Sequence, residues 1–237
     1  MDPPAPQPAG IKAVIFDVYG TLLSVADGTA GERAWQELMS AFRLSHEVSL
    51  AAFQKACSWH TAKDHAVARL TGEAHPEVNW ASIALRCIPA LTQLSEGELD
   101  RFLRGHARIL RQGTPMPGAL EFLSHCRSAG LITGIASNAQ PYTRHELLDA
   151  GFSMDLFDPV FLSGDHGYAK PSPRIFAFLT KAMAARHVIP SATMMVGDRA
   201  DNDILPALAA GWQTWHFAPT PGRDFPALSS WLFPRED

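Results

Sequence analysis

The 237-residue sequence is poor in cysteine, in charge runs of one sign and in long apolar stretches. Its three cysteines, Cys57, Cys87 and Cys126, are far apart and include no C-x-x-C pair, so neither a disulfide framework nor a zinc site is indicated. Reduced thiols in a cytoplasmic protein are the plain expectation. A formal net charge of -4, without a cluster of either sign, offers no electrostatic footprint for nucleic acid or an anionic membrane surface. No segment approaches the roughly 18 consecutive apolar residues of a membrane span. The first ten residues, MDPPAPQPAG, lack the basic start and apolar stretch of a secretory signal and read as a disordered lead-in. A small-molecule partner is the default, and nothing in the sequence indicates an oligomeric state.

Periodicity gives the organisation. The run IKAVIF, Ile11 to Phe16, lies between Gly10 and Gly20 and reads as a short buried strand. From about Gly28 to Gln112 no convincing strand is found, while apolar residues recur at helical spacing: Ala34, Trp35, Leu38, Met39 and Phe42, then Leu50, Phe53, Ala56 and Cys57, then Leu99, Phe102, Leu103, His106 and Leu110. This predicts an all-helical insertion. After Gly113 helices and strands alternate. Helices are expected over 119–128, 142–150, about 173–186 and about 203–210, and strands over 131–136, near 159–162, over 193–196 and over 212–217. Such alternation predicts an α/β fold with a Rossmann-like parallel sheet covered on both faces. The proline-rich tail from Pro219 is expected to wrap the surface without regular structure.

In an open α/β sheet the ligand site lies beyond the carboxyl ends of the strands. Four such ends carry chemistry here. Asp17 follows IKAVIF. Ser137 and Asn138 follow the strand over 131–136. Lys170 precedes Pro171 in GYAKPSP, and Asp198, Asp201 and Asp203 crowd into VGDRADND after the strand over 193–196. Each has an ordinary structural reading alone, as a turn former, a helix cap or a solvated charge. Three carboxylates within six residues, however, repel one another unless a cation joins them, which favours a divalent-metal site.

Order and spacing together resemble the haloacid dehalogenase-like hydrolase superfamily over nearly the whole chain. Its first motif, Asp-x-x-Gly-Thr, matches Asp17, Val18, Tyr19, Gly20 and Thr21; its second matches Ser137; its third, Lys170; its fourth, GD-x-x-x-x-D, matches Gly197, Asp198 and Asp203. The resemblance implies a core made of residues 11–27 and 113–220, a helical cap over 28–112, and terminal extensions over 1–10 and 221–237. It implies Asp17 as nucleophile, with Lys170 and Ser137 completing the catalytic set. It also implies Mg²⁺ held by Asp17, the main-chain carbonyl of Tyr19, Asp198 and Asp203. Ser137, Asn138, Thr21 and Tyr19 are the expected substrate contacts, with Thr21 also bracing its loop through the hydroxyl.

Tyr19 departs from the phosphatase pattern, which usually has a second aspartate there as general acid and base. A phenol of pKa near 10 does not replace a carboxylate of pKa near 4 in that role. Asp-x-Tyr-Gly-Thr is the form typical of the superfamily's 2-haloacid dehalogenases, whose halide leaves without a proton. Those enzymes are metal-independent, however, and use an early-cap arginine. The comparable stretch AAFQKACSWH has none, and Arg33 and Arg43 are out of register. A Mg²⁺-dependent phosphatase acting on a small phosphorylated metabolite through an aspartyl-phosphate is therefore the favoured reading. A 2-haloacid dehalogenase is the alternative, and a non-catalytic binding protein on the same fold the third. His60 and His65 are five residues apart, not the four that align two imidazoles on a helix, and read as cap residues. His166 is a candidate contact at the site edge, and Trp35, Phe42, Phe53 and Trp59 read as cap packing. Asp201 reads as a loop residue, and Arg199 as either a site contact or a carboxylate's partner.

Overall fold

A computed structural model describes residues 10–28, 31–44 and 48–234. At its centre is β1 (Ala13–Phe16), fully buried and flanked on both sides by parallel neighbours. The other sheet strands are β4 (Ile132–Ser137), β5 (Val160–Leu162), β6 (Thr193–Gly197) and β7 (Gln213–His216), and the order across the sheet is β5-β4-β1-β6-β7. Alternate side chains of β1 enter different cores, as strand geometry requires. Val14 and Phe16 pack with Phe122 and Leu123 of α5 (Ala119–Ser128). Ala13 and Ile15 pack with Ile175, Phe176 and Leu179 of α8 (Pro173–Ala184). Helices α6 (Thr143–Asp149), α7 (Ser163–His166) and α9 (Leu205–Ala209) complete the α/β alternation.

Two strands were not anticipated. β2 (Leu23–Asp27) and β3 (Arg111–Pro115) pair antiparallel, from Leu23 opposite Pro115 to Asp27 opposite Arg111. Their sequences, LSVAD and RQGTP, are largely exposed and carry almost no apolar alternation, so pairing rather than burial defines them. Among the described residues, the α-helices α1 (Glu32–Ala41), α2 (Leu50–Leu70), α3 (Trp80–Cys87) and α4 (Glu96–Leu110) lie between these strands. They enclose their own core of Trp35, Met39, Phe53, Ile83, Phe102 and Leu103. Phe42 packs against it, but Trp59 is 59% exposed and is not a packing residue.

The tail also differs from expectation. Phe225–Leu232 forms α10, with the Asp224 side chain accepting from the Ala227 amide as N-cap and Pro226 within the first turn. Phe225 and Leu228 are fully buried against the α5 face of the sheet. The prolines that suggested an irregular tail are compatible with the first turn of a helix. The expected lead-in over 1–10 lies, apart from Gly10, outside the described residues. No helix among those described is long and apolar enough to cross a membrane.

Candidate active site

Phe16, the last residue of β1, pairs with Ile135 and Val196, which lie within two residues of the ends of β4 and β6. Asp17 therefore emerges beside Ser137 and Asp198, and its amide donates to the Val196 carbonyl at 2.9 Å. A cavity of about 240 Å³ here is lined by Asp17, Tyr19, Ser137, Asn138, Lys170, Arg199, Asn202 and Asp203.

Lys170 holds the carboxylates together. Its Nζ donates to Asp17 Oδ1 at 2.7 Å and to Asp203 Oδ1. Burial alone would lower the lysine pKa, but the two carboxylates outweigh it and raise it, so the ammonium persists. One carboxylate oxygen from each of Asp17, Asp198 and Asp203 lies within 4.8 Å of the others. Burial, reinforced by Asp17, pushes Asp198 above the usual carboxylate range; burial also raises Asp203 despite its lysine partner. Three carboxylates face one ammonium, and Asp198 Oδ1 is buried without a hydrogen-bond partner. This hard-oxygen set with an unmet acceptor suits a divalent cation such as Mg²⁺.

Close backbone approach builds the cluster. Gly20 has φ +87°, and a Cβ on it would come within 2.5 Å of Asp198 Oδ2. A Cβ on Gly197 would collide with the Asp203 side chain. Both motif glycines are thus needed where the carboxylates crowd in.

Asn138 is turned to the protein. Its Oδ1 accepts from the Lys170 amide at 2.6 Å and its Nδ2 donates to the Lys170 carbonyl at 2.9 Å, so it fixes the lysine's backbone even though it lines the cavity. Thr21 is fully buried and its hydroxyl has no hydrogen-bond partner among the described residues, so the expected hydroxyl brace of the loop is not made. Arg199 forms a two-bond pair with the exposed Asp201 at 2.7 and 3.1 Å. His166 stacks on Phe161 with ring centroids 4.2 Å apart and lines none of the cavity.

Tyr19 lies at the junction between the nucleophile loop, the ribbon and α6. Its hydroxyl donates to Glu146, shares a 2.8 Å hydrogen bond with Thr143 Oγ1, and accepts from Arg111 Nη2 at 2.6 Å. Burial raises its pKa well above the ordinary phenol value, Arg111 opposing and Glu146 adding to the effect. The hydroxyl is therefore neutral. Arg111 and Glu146 escaped sequence reasoning because they are 92 and 127 residues from Tyr19 and belong to no local motif.

A family model for haloacid dehalogenase-like hydrolases matches residues 11–211. The chain belongs to that family. It is 27% identical over 202 residues to a pyrimidine 5'-nucleotidase of Escherichia coli, covering 85% of this chain and 83% of that one. It is 35% identical over 102 residues to the glyceraldehyde 3-phosphate phosphatase of Pyrococcus furiosus, where the match spans 43% of this chain and only 41% of the relative. The crystal structure of a HAD phosphatase from Thermococcus onnurineus shares the fold, with a TM-score of 0.55 and 21% identity over 96% of this chain and 100% of that one.

Proposed function

We propose that this chain is a Mg²⁺-dependent phosphatase for a small phosphorylated metabolite, working through an aspartyl-phosphate on Asp17, with the helical block over 28–112 as its cap. The convergence of Asp17, Asp198 and Asp203 around Lys170 carries the reading. Displacement of a halide needs no such carboxylate set. The phosphatase and nucleotidase relatives support the same reaction class.

Asp17 attacks phosphorus, the P–O bond to the leaving group breaks, and water then attacks the phosphorus of the aspartyl-phosphate to release phosphate and restore the carboxylate. Lys170 donates to Asp17 Oδ1, which orients the nucleophile, and places positive charge beside the transferring oxygens. Ser137, at the end of β4, lines the cavity as a hydroxyl donor to those oxygens, while Asn138 positions Lys170. Asp17, Asp198, Asp203 and the Tyr19 carbonyl would hold Mg²⁺, which when bound offsets the repulsion between nucleophile and phosphate. Tyr19, committed to Arg111, Glu146 and Thr143, stands where a general acid would otherwise serve and supplies none. The leaving group must therefore depart with little proton assistance from that position.

A broad phosphoester panel tests this, assayed for phosphate with Mg²⁺ or EDTA and with Asp17→Asn as control. Mg²⁺-dependent release lost in the variant is expected; no release on any substrate overturns the reading. Tyr19 itself favours the second reading, a 2-haloacid dehalogenase, for which halide release from 2-haloacids without added metal is the corresponding assay.

A further inference from the structure

Outside the site, two of the three cysteines meet. Cys57, in the middle of α2, and Cys87, the last residue of α3, have Sγ atoms 3.5 Å apart, although 30 residues separate them in sequence. The helices that carry them are tied a second time. Arg86, next to Cys87, donates Nη1 to Asp64 Oδ1 at 3.0 Å, and its other terminal nitrogen bonds the second oxygen of the same carboxylate. The thiols are thus held face to face by an ion pair as well as by packing. Cys57 is buried, while Cys87 is partly open to solvent. Cys126 is buried at the sheet core, away from both.

We propose that Cys57 and Cys87 form a dithiol site that takes up a reversible disulfide by exchange with a small-molecule disulfide. Cys87, the accessible thiol, reacts first. Its thiolate attacks one sulfur of R–S–S–R, forming Cys87–S–S–R and releasing R–S⁻. The Cys57 thiolate then attacks the Cys87 sulfur, forming the Cys57–Cys87 bond and releasing the second R–S⁻. Two protein thiols lose their protons to solvent and are oxidised, and one disulfide is reduced to two thiols. Burial and the neighbouring thiol both raise the pKa of Cys57, so the second step is the slow one. Closing the gap from contact to bond needs only a small movement, and Cys87 sits where α3 gives way to the Pro89–Gln93 turn.

The crosslink would close the chain segment that docks the helical block on the core. Between Cys57 and Cys87 lie Val78, whose carbonyl accepts from Gln140 Nε2 at 2.9 Å, and Trp80, whose amide donates to Gln140 Oε1 at 2.8 Å. His75 lies there too, its carbonyl accepting from the Ala169 amide at 2.8 Å. Gln140 is two residues from Asn138, and Ala169 adjoins Lys170. A disulfide at 57–87 therefore restrains the segment that grips the loops carrying two site residues. The inference does not depend on the reaction proposed above.

The test incubates the reduced, folded full-length chain with excess oxidised glutathione, quenches with acid, and counts thiols after denaturation. The expected result is a fall from three titratable thiols to one, a mass lower by about 2 Da, a Cys57–Cys87 crosslinked peptide, and full reversal by dithiothreitol. Cys126→Ser should still lose two thiols, while Cys87→Ser should form no intramolecular bond. Retention of all three thiols, a stable glutathione adduct on Cys87 without the crosslink, or a bond involving Cys126 would each overturn the proposal.

Discussion

The guanidinium of Arg111 stacks on the ring of Tyr19, 4.1 Å from its centroid, while Nη2 of the same group donates to the Tyr19 hydroxyl at 2.6 Å. One residue thus grips both the face and the tip of the side chain that replaces the usual second aspartate. The tyrosine is a strut between ribbon and nucleophile loop.

Removing the hydroxyl should therefore cost stability more than chemistry. Tyr19→Phe leaves Arg111 and Glu146 without a shared partner in a largely buried place, and should lower unfolding free energy by about 1–3 kcal/mol. The chemical step should slow by less than about tenfold, since a general acid is typically worth 10²–10⁴-fold. Denaturant unfolding and single-turnover kinetics separate the two effects.

Without an acid at position 19, rates should climb as the leaving group becomes more acidic. Aryl and acyl phosphates should outpace alkyl phosphates, and Tyr19→Asp should flatten the dependence. Equal rates across leaving groups several pKa units apart, with chemistry rate-limiting, would contradict this.

The proposed cation site can be tested without turnover. Mg²⁺ at a hundredfold excess over its Kd should stabilise the fold by about 2.7 kcal/mol. Asp198→Asn should abolish most of that gain while leaving the metal-free stability equal or higher, because burial and Asp17 both disfavour the Asp198 anion. Thermal unfolding with and without the metal reads both effects.

Lys170→Met should be costly even before activity is measured. It strands Asp17 and Asp203 as buried carboxylates, and losing one partner of a buried pair typically costs about 3–5 kcal/mol. Phosphate release should fall to background. Full stability in the variant would show that Lys170 is not the hub of the cluster.

His106 gives the fold an acid limit. It is 2% exposed among Trp35, Phe53 and Trp80, and its Nε2 has no hydrogen-bond partner. Burial, with a smaller push from Arg111, lowers its pKa from 6.5 to about 4. The unfolded chain binds this proton more readily, so the contribution is present above about pH 6.5 and drains away as pH falls toward 4. The loss should reach about 3 kcal/mol. Relative to His106→Gln, the natural chain should lose that much additional stability between about pH 7.5 and pH 4 in denaturant titrations.

Much of the site was legible because the chain places its reactive residues at strand ends. Asp17, Ser137 and Asp198 lie at the ends of apolar strands paired in parallel, while Lys170 and Asp203 come from the segments that follow β5 and β6. What escaped reading depends on distant partners. β2 and β3 have little apolar pattern and exist through each other. Arg111 acquires its place only when the ribbon folds it over Tyr19. Asn138 resembled a substrate contact because an amide at a strand end looks the same in sequence whether it faces a ligand or clamps a lysine backbone. α10 was hidden by prolines that its first turn tolerates.

The most direct measurement is a single turnover of the best phosphoester in H₂¹⁸O with excess enzyme and Mg²⁺, followed by mass spectrometry of the phosphate and of the peptide containing Asp17. The account predicts one ¹⁸O in the released phosphate and none in Asp17, because water attacks phosphorus. Label in the Asp17 carboxylate would mean that water attacks an ester carbonyl, as in halide displacement, and would contradict it.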